Sequence, residues 1–194
     1  LTSQNKIMAE KTDHQYEHVI KVCREVFEKK MQDYGTAWRI LRPSSLTDQL
    51  FIKARRIRSI ETKGSSRIKD DIRSEFIGLV NYAIMGLIQL EQEPCDHPSM
   101  DTSQAMELYD KHIYAAKHLM LDKNHDYDEA WRNMRISSYT DLILMKIHRT
   151  KQIENNQGKT LVSEGIDANY MDIINYAVFG LIEIEFPEQD KEPV

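Results

Sequence analysis

Cysteine, proline and glycine are scarce in this 194-residue chain, at two, five and seven. Cys23 and Cys95 show neither metal-ligand spacing nor a disulfide framework, so both are expected to be reduced and structural. The shortage of glycine and proline argues against a β fold. So does the lack of any long run in which Val, Ile or Thr alternates with polar residues. No apolar stretch reaches the roughly 20 residues of a membrane span. The polar segment 1–10 lacks the apolar core of a signal peptide, so the expectation is a cytoplasmic protein with no membrane partner. A net charge of −5 does not favour duplex DNA, although a local basic face stays open.

Several motifs are missing as well. There is no Gly-x-Ser-x-Gly. Gln157-Gly158-Lys159-Thr160 ends like a phosphate loop, but Ile153 stands where the upstream glycine belongs. The absence of Glu-x-x-His argues against a di-iron bundle. His125-Asp126 has no further histidine ligand placed beside it.

What the chain does have is helical periodicity, written twice. Val19, Ile20, Cys23, Val26 and Phe27 recur at helical spacing within a helix expected over 12–31, with residues 1–11 expected to fray. A second helix is expected over 46–61, begun by a capping box of Ser45 and Asp48. A central helix is expected over 68–92. The proline-broken stretch 92–100 reads as a linker, with Asp101 or Thr102 capping the next helix. Then the order repeats. Lys30, Asp33-Tyr34 and Ala37-Trp38-Arg39 return as Lys123, Asp126-Tyr127 and Ala130-Trp131-Arg132. Lys53, Arg56 and Glu61 return as Lys146, Arg149 and Glu154. The central helices share Asn-Tyr-Ala-x-x-Gly-Leu-Ile, at Asn81 and at Asn175.

The offset of 93 to 94 residues is too long for a solenoid unit. It predicts an all-α fold, a tandem duplication of a three-helix unit packed as a pseudo-two-fold helical bundle. The expected division is 1–92, a linker at 93–101, 102–186, and a polar tail at 187–194. Ala83/Gly86 and Ala177/Gly180 give each central helix a small-residue stripe, where close approach of another backbone would offset the roughly 1 kcal/mol that a helical glycine costs.

Polar residues on the central helices are the candidates for function. Glu164, Asp167 and Asp172 fall within an arc of roughly 140°, with Asn175 inside it and Asp126 at the end of an earlier helix. Carboxylates so placed suit a hard cation such as Mg²⁺. Alternatively, Glu164 and Asp167 stabilise a helix N-terminus. Asp172 lies among Met171, Ile173 and Ile174, and a buried carboxylate needs a partner or a metal. The first repeat has Asp70, Arg73 and Gly78 at the matching positions, with Glu75 expected on a different face from Gly78. Trp38 and Trp131 either anchor their loops on the core or, with Tyr127 and Arg132, stack a base. The pairs Lys53/Arg56 and Lys146/Arg149 either hold phosphates or form a solvated face.

Lys-Asn-His-Asp-Tyr-x-x-Ala-Trp at 123–131, a basic helix, Glu164-x-x-Asp167 and Asp172-x-x-Asn175-Tyr-Ala together resemble the nucleotide-modification-associated domain family. The resemblance covers 123–181 well and 30–87 less well. That family is in turn similar to the all-alpha, MazG-like nucleoside triphosphate pyrophosphatases, in which two acidic helix motifs hold Mg²⁺ and activate a water that cleaves the α–β phosphate bond. The resemblance implies metal ligands at Glu164, Asp167 and Asp172 and catalytic acids or bases at Asp126 and Asp172. It implies contacts to a nucleotide or modified nucleotide from Lys123, Tyr127, Trp131, Lys146, Arg149 and Asn175. It departs from the pattern at Arg73 and Gly78. It departs again on the helix before each loop, where only Glu25 and Glu28 approach the first acidic motif and the second copy has His118 and Leu121. The function expected is Mg²⁺-dependent nucleotide binding with pyrophosphatase activity. The alternative is a non-enzymatic helical interaction module, in which Asn81 and Asn175 pair across the two-fold axis. A further homodimer stays open.

Overall fold

The computed structural model describes residues 3–64, 72–127, 129–161 and 164–187, the side chains of 3–6 and 127 excepted. Six α-helices account for most of them, and no strand occurs among the described residues. The first repeat contains α1 (Ser3–Tyr34), a 3-10 turn (Ala37–Ile40), α2 (Pro43–Lys63) and α3 (Ile72–Gln92). The second contains α4 (Thr102–Tyr127), a 3-10 turn (Ala130–Asn133), α5 (Ile136–Asn155) and α6 (Ile166–Glu185).

Local chemistry sets the ends of these helices. Gly35 and Gly64 adopt positive φ, 61° and 67°, and return their N–H groups to Met31 and Ile60, which stops α1 and α2 in the left-handed manner glycine permits. Asp101 caps α4 by accepting the Gln104 N–H at 2.8 Å. The expected capping box at Ser45 is not used. Pro43 begins α2 after Arg42, with no side-chain cap. Proline is preorganised for a first helical position, where a missing N–H loses nothing. Of the residues expected to fray, 3–11 are helical in α1, and 1–2 lie outside the described residues. Thr12 of α1 is buried and donates to Glu129 at 2.7 Å. The start expected for the central helix at residue 68, with Asp70, lies outside the described residues.

The central helices α3 and α6 pack against each other and are buried almost all round. Each fully buried Ile, Leu or Phe there contributes about 1.5–3 kcal/mol. Gly86 faces the ring of Tyr170, and Gly180 faces the ring of Phe76. The two contacts are one contact repeated, since Phe76 and Tyr170 are equivalent, as are Gly86 and Gly180. The small-residue stripe therefore admits an aromatic ring from the other half rather than a bare backbone.

The same reciprocity runs through the polar contacts. Tyr16 donates to Asn175 Oδ1 at 2.7 Å, and Tyr109 donates to Asn81 Oδ1 at 2.8 Å. Burial holds both tyrosine hydroxyls above their ordinary range, so they stay protonated. Each asparagine then donates within its own half, Asn81 to the Cys23 carbonyl and Asn175 to the Ala116 carbonyl. Thr47 donates to Glu154, and Thr140 donates to Glu61. Asp48 pairs with Lys151, and Asp141 pairs with Arg58. These pairs are a pseudo-two-fold axis in chemical form. The asparagines do not meet each other; each receives a tyrosine from the opposite repeat.

Candidate functional site

Asp172 lies two turns into α6 and is 5% exposed, between the fully buried Ile173 and Ile174 and the rest of the helix. A carboxylate so placed must be compensated. Lys123, from the last turns of α4, reaches its Oδ1 at 2.8 Å. Lys146, from the middle of α5, reaches its Oδ2 at 2.6 Å. All three helices of the second repeat thus converge on one carboxylate. The lysines span a range of exposure, with side chains 49% and 21% accessible respectively. Partial burial pulls the Lys123 ammonium down, but the hydrogen bond and charge of Asp172 outweigh it, and its pKa ends above the ordinary value. Half-buried Tyr176, one turn along α6, is raised first by burial and then by the Asp172 charge.

The other expected site residues are more dispersed. Glu164 is exposed, with its charge felt at Lys123. Asp167 is exposed and borders a separate cavity of about 490 Å³ with Leu87, Leu90, His112 and Met171. Asp126 is exposed beside His125, at 3.2 Å. No three His, Cys, Asp or Glu side chains among the described residues gather so as to hold a metal ion. The arc that placed Glu164, Asp167 and Asp172 together assumed one continuous helix. In fact α6 begins at Ile166, so Glu164 precedes it and Asp172 alone is buried.

Arg149 is half-buried on α5, close to one turn beyond Lys146. The side chain of Tyr127 lies outside the described residues. Trp131 is 7% exposed and stacks on Phe179, with ring centroids 4.2 Å apart and planes 6° apart. The Arg132 guanidinium also lies over this ring, at 4.4 Å. The indole anchors its loop on the core and is covered against a base. Both amide atoms of Asn175 are taken up by Tyr16 and Ala116.

The first repeat organises its charges differently. Gly78 occupies the position of Asp172, and the aliphatic chain of Lys53 lies over it, so that a Cβ there would sit 2.5 Å from Lys53 Cε. The carboxylate is supplied from one turn earlier by Glu75, 4% exposed, which meets Lys53 at 3.3 Å and Arg56 at 2.8 Å. Glu75 and Gly78 therefore share a face, contrary to expectation, because three residues along a helix turn back by only about 60°. Arg73, equivalent to Asp167, pairs with Glu185 at 2.5 Å.

Sequence reasoning missed the Tyr16 and Tyr109 partners of the asparagines, although the offset of 93 residues relates the two tyrosines. It also missed the ion pairs that hold Asp172 and Glu75. A family model described as Nucleotide modification associated domain 1 matches residues 30–90 and again residues 123–184. No curated protein and no solved structure matches the chain.

Proposed function

The chain belongs to the nucleotide modification associated domain 1 family, in two tandem segments, and on that premise we propose that the second repeat binds a nucleotide through Lys123 and Lys146. The observation that carries this is the buried Asp172 carboxylate held between two lysines from different helices. Each ammonium carries three donors, and a hydrogen bond to Asp172 takes up one. The remainder can meet phosphate oxygens in charge-assisted bonds. Arg149, further along α5, would extend the cationic surface along a polyphosphate. Asp172 positions the lysines. Asn175 and Trp131 support the site through packing rather than by touching the base.

Magnesium enters this reading on the phosphates of the nucleotide. Mg²⁺ is commonly held by one or two carboxylates and substrate phosphates. The described residues offer no ready set of ligands, and both oxygens of Asp172 face ammonium groups, so they do not fit a resident metal. Pyrophosphate release is the finer form of the proposal. There Asp126 or Asp172 would take the proton of the attacking water, Asp172 only after the phosphates have drawn the lysines away from it.

Titration of the full chain with nucleoside mono- and triphosphates, with and without Mg²⁺, tests the proposal. Binding should raise the melting temperature and be weakened roughly tenfold or more by Lys146→Glu. Pyrophosphate assays on the same samples test the hydrolytic form. If no nucleotide binds with or without Mg²⁺, the proposal fails. The interaction-module alternative then gains, favoured by the internal use of Asn175 and Trp131; it requires Asp172→Ala to shift melting without any ligand effect.

A further inference from the structure

A cleft of about 380 Å³ lies between α1 and α4, away from Asp172. Its volume is within the range of small-ligand pockets, roughly 300–1,000 Å³. It straddles the pseudo-two-fold axis. Ile20 and Ile113, equivalent in the two repeats, are both buried in its lining, and the equivalent acids Glu17 and Asp110 flank them.

The polar lining departs from that symmetry in one direction. Asp110 is neutralised by Arg24, which donates to both its oxygens at 2.7 and 3.0 Å. Glu17 shares the single charge of Lys117 with Asp13, which lies 2.6 Å from that ammonium, and accepts from the Tyr114 hydroxyl at 3.5 Å. His14, His18 and Lys21 lie along one side of α1. Lys21 is exposed and forms no ion pair among the described residues. His18 is 3.6 Å from Glu185. The second repeat has Glu107, Lys111 and Tyr114 at the equivalent places. Tyr114, 43% exposed, brings an aromatic ring to the wall opposite Lys21. The cleft thus combines an apolar floor, an aromatic edge and a lysine that stands outside the ion pairs around it.

We propose that this cleft is a second binding site, for a small organic anion with an apolar body, independent of the nucleotide site. Lys21, with His14 and His18 as hydrogen-bond donors or acceptors, meets the anionic group. Ile20, Ile113 and Tyr114 cover the apolar part. A ligand held there touches both repeats and joins α1 to α4.

The test uses the intact chain and two naphthalene probes of similar shape, anionic 1-anilinonaphthalene-8-sulfonate and neutral N-phenyl-1-naphthylamine. The anionic probe should bind one to one with enhanced fluorescence and more tightly than the neutral one. Lys21→Glu, at an exposed position that leaves the fold intact by circular dichroism, should weaken the anionic probe roughly tenfold and leave the neutral probe unchanged. Lys146→Glu should alter neither. Equal affinity of the anionic probe for wild type and Lys21→Glu would overturn the proposal, as would its loss in a Lys146→Glu variant that circular dichroism shows to be folded. Nucleotide titration of Lys21→Glu separates the two sites, since that variant keeps nucleotide binding if the sites are distinct.

Discussion

The two repeats share one skeleton and differ in where they keep their charge. The second holds Asp172 between Lys123 and Lys146. The first has Gly78 there, draws its carboxylate from Glu75 one turn earlier, and lays Lys53 across the glycine. Many contacts between repeats, in contrast, are duplicated: tyrosine to asparagine, threonine to glutamate, aromatic ring to glycine. The central positions that face the other repeat are bound to a partner of fixed shape and polarity. Positions that close only their own three-helix unit can exchange one acid for another.

The largest expected difference lies in the ring-on-glycine contacts. A Cβ at Gly86 would stand 2.7 Å from Tyr170, and one at Gly180 would stand 2.9 Å from Phe76. Tyr170 is tied through its hydroxyl to Thr47 at 2.7 Å and to the Pro43 carbonyl at 3.1 Å, whereas Phe76 has no hydroxyl to hold it. Gly86→Ala should destabilise by about 2–3 kcal/mol and Gly180→Ala by about 1 kcal/mol or less, after the helix-propensity gain of alanine. Urea denaturation measures both. Equal losses would show that the tyrosine hydroxyl does not fix its ring.

The tyrosine–asparagine pair gives a smaller effect and a test of equality. Tyr16→Phe and Tyr109→Phe each leave a buried amide oxygen without its donor, for a loss of about 1–2 kcal/mol apiece. Losses that differ by more than about 0.5 kcal/mol would break the symmetry in energy while it persists in geometry.

The smallest effect concerns Glu61 and Glu154. Burial raises both carboxyl pKa values, and the hydrogen bonds from Thr140 and Thr47 only partly lower them. The native state therefore binds these protons more tightly than the unfolded chain, and stability falls as pH rises through the window above the unfolded value of about 4.3. Glu61→Gln and Glu154→Gln should each raise the melting temperature at pH 7 by roughly 1 °C, an advantage that vanishes below about pH 4. Melting curves at pH 4 and 7 check this, and a gain that persists in acid would rule out titration as its source.

Much of this architecture was legible in the sequence because duplication makes a signal of every retained residue. The 93-to-94-residue offset and the Asn-Tyr-Ala-x-x-Gly-Leu-Ile echoes disclosed the helices and their pseudo-two-fold packing. Asp172 was legible too, since a carboxylate flanked by isoleucines on a core helix demands compensation. Its partners were not. Lys123 precedes Asp172 by 49 residues and Lys146 by 26, and no helical period links residues on different helices. The arc expected to join Glu164, Asp167 and Asp172 does not describe Glu164 for a local reason: the helix starts at Ile166, and Glu164 precedes it. Trp131 left two readings open because anchoring and base stacking need the same flat apolar ring. Only its burial against Phe179 separates them.

The tandem connection between the two halves has a genetic consequence. In a homodimer of one such unit, any substitution is written into both subunits, so losing an acid on one side loses it on the other. With both units on a single chain, Gly78 and Asp172 are separate codons. One half can drift while the other keeps its chemistry, and the reciprocal tyrosines continue to hold the two together.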